Sequence, residues 1–361
     1  MKRIGILFII FFVINLLHSQ TGVLKMSATK STDYGVTYFL PKTVLTVQVN
    51  YSKTTQKAGP YARYAEKYLG LNEQSTVSED RVYYTLNKIN VTSKGIVDKD
   101  TPYLVEFKSK TTSPFVYLTE DGLICAINAE YVPESVKSNN PAINPPVSSS
   151  SVLPSQSVFT EEYLRAGSVS KMAEVAAKQI YKLRESRTDL LTGDAENAPR
   201  DGEGMKIVLS NLEAQEKALM ELFVGTTSTE SFDSEFEIEP QSDMSKAVLF
   251  RFSKYSGVVD KDDLSGNPVY INIQNLDTQE APEEAVDPKR KTKEAPSIVY
   301  NIPGKATVEV FYGINSIYRN NFQIVQFGSK KNLATSLFND KKAPVKIYFY
   351  SETGAIKQII Q

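Results

Sequence analysis

The chain has 361 residues with 41 Lys plus Arg, 42 Asp plus Glu, one histidine, one cysteine and no tryptophan. So even a charge balance gives no general attraction to nucleic acid or to an anionic membrane. The histidine, His18, falls in an N-terminal apolar segment and the cysteine is Cys125, so histidine triads, histidine metal sites and intrachain disulfides are excluded from the rest of the chain.

Lys2 and Arg3, the apolar run Ile4 to Leu17 and the polar exit at His18, Ser19 and Gln20 have the architecture of an export signal, cut after Ser19. The run is shorter than the roughly 20 apolar residues of a membrane span. Cleavage is therefore expected rather than anchoring, leaving a protein with no integral span. No cysteine follows the run, which disfavours a lipid anchor. The chain then divides into a signal (1–19), an N-terminal β-rich domain with a short helix (20–132), a Pro/Ser-rich linker or loop (133–157), and a helix pair followed by a β-rich domain (158–361).

Thr43 to Val49 alternates in the period-2 manner of a half-buried strand after Tyr38-Phe39-Leu40-Pro41. Pro60 suits a first helical position and Gly70 a left-handed exit, so Tyr61, Tyr64, Ala65, Tyr68 and Leu69 form one stripe of a short helix. The stripe reads as core; its alternative is a set of aromatic ligand contacts at Tyr61, Tyr64 and Tyr68. Strands follow at Val82 to Leu86, Tyr103 to Phe107, Phe115 to Leu118 and Gly122 to Ile127. The last carries Cys125, expected to be a buried and inert thiol.

Ser168 or Ser170 can cap a helix running to about Arg187, with Val169, Met172, Ala173, Ala176, Ile180 and Leu183 on one face. A second amphipathic helix follows Asp201-Gly202 and stops at Gly225, making an antiparallel pair. The cluster Arg184, Glu185 and Arg187 is either a solvated face or an interaction surface. Further strands are expected at Lys246 to Phe252, Pro268 to Ile273, Ser297 to Tyr300, Thr307 to Tyr312, Phe322 to Phe327, Val345 to Tyr350 and Ala355 to Ile360. A turn is expected at Pro303-Gly304, and the charged segment 279–296 reads as a solvated loop. The fold class is α+β: mostly antiparallel sandwich-like sheets with an inserted antiparallel helix pair.

Tyr38-Phe39-Leu40-Pro41-Lys42-Thr43, Gly59-Pro60-Tyr61 with Tyr64-Ala65 and Tyr68-Leu69-Gly70, Ile180-Tyr181 with Arg184-Glu185-Ser186-Arg187, Leu190-Leu191-Thr192-Gly193, and Tyr300 with Ile302-Pro303-Gly304 together mark a resemblance. The chain resembles the Bacteroidetes secreted proteins of the domain of unknown function four-eight-three-one. The resemblance implies export in a Gram-negative envelope and carries no functional residues with it.

Chemical motifs fail on spacing. No phosphate-binding glycine loop is present, and Gly202-Glu203-Gly204 lacks the strand and further glycine of a dinucleotide turn. Counted from Asp260, the acidic loop Asp260, Asp262, Asp263 has Leu264 fifth and glycine seventh, the wrong register for calcium. Ser168-Val169-Ser170-Lys171 holds half of a serine–lysine constellation and is better explained by capping. No catalytic residue, cofactor or metal ligand is assigned. The expected role is that of an exported, periplasmic or cell-surface protein, non-enzymatic, structural or binding an envelope protein. The alternatives are polysaccharide binding and, behind it, carboxylate-based glycoside hydrolysis.

Overall fold

The computed structural model describes residues 22–25, 35–106, 115–130, 159–196, 198–199, 201–277, 297–334, 337 and 345–361. The export signal, the Pro/Ser-rich segment 133–157 and the charged segment 279–296 lie outside the described residues. The fold is mixed α+β, dominated by antiparallel sheets, with a pair of long helices in contact.

Two sheets face each other across the largest core. The first has three strands in the order β4 (Arg81–Val97), β3 (Pro41–Lys57) and β8 (Thr226–Ile238). The second has five, in the order β10 (Gly257–Val259), β9 (Met244–Ser253), β11 (Asn267–Asn275), β12 (Ser297–Tyr312) and β13 (Asn315–Ala334). Leu45, Val47 and Val49 of β3 alternate inward onto Phe250, Val269, Ile271, Ile273, Val308 and Val310, all fully buried. Each such side chain contributes about 1.5–3 kcal/mol by leaving water. The sheets are tied at one corner by Gln326, whose amide accepts from the Thr43 N–H (3.0 Å) and donates to the Thr43 carbonyl (2.7 Å).

A second core gathers two smaller sheets: β1 (Gly22–Lys25), β5 (Tyr103–Glu106) and β2 (Gly35–Tyr38), and β15 (Ile356–Ile360), β14 (Lys346–Phe349), β7 (Ile124–Ile127) and β6 (Val116–Leu118), each in that spatial order. Tyr38, Ile124, Ile127, Ile298, Ile347 and Phe349 fill it. The Tyr38 hydroxyl accepts from the Val299 N–H (3.0 Å), and burial pushes its pKa far above the ordinary tyrosine value. Cys125 is free and buried in β7, where desolvation raises its thiol pKa and withholds the reactive thiolate.

The expected turn at Pro303-Gly304 is a bulge inside the continuous strand β12. The pairing register with β13 shifts between Ile302 and Gly304, where Pro303 has no N–H to give. A Cβ on Gly304 would lie 2.5 Å from the Phe327 carbonyl oxygen, and one on Gly328 only 1.8 Å from that of Ile302. Two glycines thus let the strands close up where the hairpin passes from the second core, at Ile298, to the first, at Ala306. The sequence reading also passed over β8, β10 and the β1 segment.

Sheet pairing crosses the segment 133–157. β8 pairs with β3 along its whole length, β14 pairs with β7, and each of the three cores draws residues from both sides. No helix among the described residues is long and apolar enough to cross a membrane.

Candidate functional site

The third core is helical and brings both sequence-derived candidate sets together. A 3-10 turn (Ala62–Tyr64) and α1 (Ala65–Leu69) pack on α2 (Glu161–Leu164), α3 (Val169–Thr192) and α4 (Gly202–Val224). Ser168 caps α3 by accepting from the Lys171 N–H, and Gly193 ends it in a left-handed conformation, one turn beyond the expected end. Asp201 caps α4 and Gly225 stops it. Pro60 does not start the short helix. The Tyr61 N–H is instead given to the Leu222 carbonyl (2.8 Å), which pins the chain to the end of α4 and starts the helical turn at Ala62.

Tyr61 is 4% exposed. Its ring packs on Phe223 and Tyr163, and its hydroxyl shares a hydrogen bond with that of Tyr163. Desolvation, reinforced by this bond, holds its pKa far above the ordinary value, so the hydroxyl stays neutral. Tyr64 and Tyr68 are half-buried, with ring centroids 6.1 Å apart and planes tilted by 37°. Arg63 lies over Tyr64 (5.1 Å) and Lys67 over Tyr68 (5.0 Å). The Tyr68 hydroxyl reaches the Ser170 hydroxyl at 3.1 Å.

Tyr181 joins this group to the arginine cluster. It is 49% exposed, donates its hydroxyl proton to the Tyr68 carbonyl (3.1 Å), and lies beneath the Arg184 guanidinium at 5.9 Å. Arg184 and Arg187 converge on Glu216 of α4, Nε to Oε1 at 2.6 Å and Nη1 to Oε2 at 3.2 Å. Glu185 is exposed beside them, four residues from Tyr181 and on the same helix stripe. The result is one continuous half-exposed surface running from Arg63 through Tyr64, Tyr68 and Tyr181 to Arg184 and Arg187. Tyr181 was not among the candidates; its spacing of three from Arg184 and four from Glu185 was the available signal.

This surface offers guanidinium and phenol donors and aromatic area, without a nucleophile–base pair. Of the carboxyl groups, Glu174 is held low by Lys178 and Lys171, and Asp263 by the backbone N–H of Ser265. A general acid needs the opposite shift. No group of three or more potential metal ligands occurs among the described residues, and Asp260 and Asp263 accept backbone N–H groups of their own loop. A hollow of about 250 Å³ lined by Thr43, Lys94, Gln323 and Glu352 is polar and open.

The sequence model of the family described as Domain of unknown function (DUF4831) matches residues 34–357. The chain belongs to this family. The match takes in every element from β2 to β14, the start of β15 and all of the tyrosine–arginine surface. No match is found among curated proteins or among solved structures. Residue roles in this family member therefore rest on its own geometry.

Proposed function

We propose that this protein is an exported, non-enzymatic component of the cell envelope that binds another protein through Arg63, Tyr64, Tyr68, Tyr181 and the Arg184–Arg187 cluster. The observation that carries the proposal is Tyr181, which turns two separate features of the sequence into one surface on a rigid helix pair. Tyrosine and arginine are the residues enriched at the centres of protein interfaces, since both bury large area and still satisfy polar groups. Export is supported by the N-terminal signal architecture.

A photocrosslinking amino acid placed at position 181 in cells of the native host tests this. One discrete adduct is expected there and none from the same probe at Asn87, on the outer face of the three-stranded sheet. Adducts at Asn87 alone, or turnover of a glycoside, ester or peptide substrate by the purified chain, would overturn it.

Polysaccharide binding is the second reading, favoured by the adjacent rings of Tyr64 and Tyr68. Sugar stacking needs an open, flat ring face. Here the planes are tilted and each ring already carries a cation. Glycan titration is accordingly expected to give millimolar or no binding; saturable micromolar binding lost in Tyr64→Ala would put this reading first.

A further inference from the structure

β8 forms one edge of the three-stranded sheet and pairs with β3 from end to end. β8 runs for 13 residues with no register shift against β3, and among the described residues no other strand pairs with it. Among the described residues, its second row of backbone N–H and C=O groups has no strand partner. Exposed edges are commonly blunted by short length, proline, bulges or charged side chains, and charges of one sign turn away acidic and apolar strands while still admitting a basic one. β8 has no proline and no bulge, and carries acidic side chains alone: Glu230, Asp233, Glu235 and Glu237, with no lysine or arginine.

The register fixes where these acids point. Asp233, Glu235 and Glu237 stand beside Asn50, Gln48 and Thr46 of β3, on the face opposite the core residues Leu45, Val47 and Val49, whereas Glu230, beside Lys53, lies on the other face. Glu237 is paired with Lys94 and Asp233 accepts from Asn50, whereas Glu235 has no hydrogen bond or ion pair among the described residues and acts on Lys94 only through its charge. On the other face Phe232 is partly exposed and stacks on Tyr51 (5.6 Å), next to Phe236. A strand added to this edge meets carboxylates at alternate positions on one side and aromatic rings on the other.

We propose that the β8 edge is a strand-addition site for an extended segment of another protein whose lysines or arginines alternate with apolar residues. The choice of occupant follows from charge. A second copy of β8 brings four more acids and no base, so it gains no opposite-charge pair in any register, while a basic strand can place a base beside each of Asp233, Glu235 and Glu237. This site is separate from the helical surface, and either can fail without the other.

The test uses the full mature chain and two synthetic peptides as long as β8, one alternating lysine with valine and one alternating glutamate with valine. The lysine peptide is expected to bind saturably, more weakly as salt rises. Amide exchange at alternate residues of β8 should slow by about tenfold or more on binding, while β15, another sheet edge, stays unchanged. Asp233→Lys with Glu235→Lys should reverse the preference to the glutamate peptide. Equal binding of both peptides, binding without protection of β8, or a concentration-dependent dimer that protects β8 in the absence of peptide would overturn the proposal. The exchange experiment on the wild-type chain decides it even if the double variant does not fold.

Discussion

Glu216 accepts from two guanidinium groups at once, so a single carboxylate couples the outer face of α3 to α4. Its side chain is 15% exposed, against 36–40% for the two arginines. Glu216→Ala should therefore cost about 1 kcal/mol, at the upper end for a half-exposed network, read as a lower urea midpoint at unchanged slope. It should also free Arg184 from its place over Tyr181. The two buried phenols set a pH limit of the opposite kind to acid denaturation. Tyr38 and Tyr61 both have folded-state pKa values raised by burial above the ordinary 10.0. The stability they contribute is fully present below that value and is lost as pH rises through and beyond it. Thermal melts should be flat from about pH 8 to about pH 9.5 and fall steeply above about pH 10. Tyr61→Phe, which keeps the ring and removes the ionisable hydroxyl, should fall less steeply there.

The β12–β13 hairpin is the element that joins two cores, and its weak point is the glycine pair at the bulge. Gly328→Ala puts a methyl where the Ile302 carbonyl oxygen already lies. A loss of about 2–4 kcal/mol is expected, since backbone has to move on both strands. Gly313→Ala, at the hairpin tip with open space around it but φ of 64°, should cost about 1 kcal/mol. Equal effects in urea titrations would contradict the role of the bulge. Pro-Gly has the same local chemistry in a turn and in this bulge, and only the continued pairing of Ile298 with Leu333 and of Ala306 with Phe322 distinguishes them. Thr43 to Val49 and Pro268 to Ile273 were legible because their inward residues are apolar at every second position. β8 was not, because its first half, Thr226 to Ser231, has no apolar residue on either face and is held by pairing with β3. The helix pair was legible in its stripe and caps. Its role in the candidate surface was not, since the contact of Tyr181 with Tyr68 spans 113 positions of sequence.

For the whole molecule, strand pairing and all three cores cross the segment 133–157, so the two parts of the chain on either side need each other's burial. Residues 20–132 and 158–361 produced as separate chains should be insoluble or aggregated singly and should co-purify when made together; an independently folded, monomeric 20–132 would contradict this. The same architecture holds the tyrosine–arginine surface rigid, because α1 comes from before the segment while α3 and α4 come from after it. A preformed surface loses little conformational freedom on binding, which is what a docking role requires. The most direct measurement is the affinity of the mature chain for the partner captured from position 181, compared with that of the Arg63→Ala, Tyr64→Ala, Tyr181→Ala variant. The account predicts micromolar or tighter binding by the wild type and a loss of about tenfold or more in the variant, which stays folded with a lowered melting temperature because Tyr64 packs on the helical core. Undiminished affinity in a variant that folds normally would contradict it.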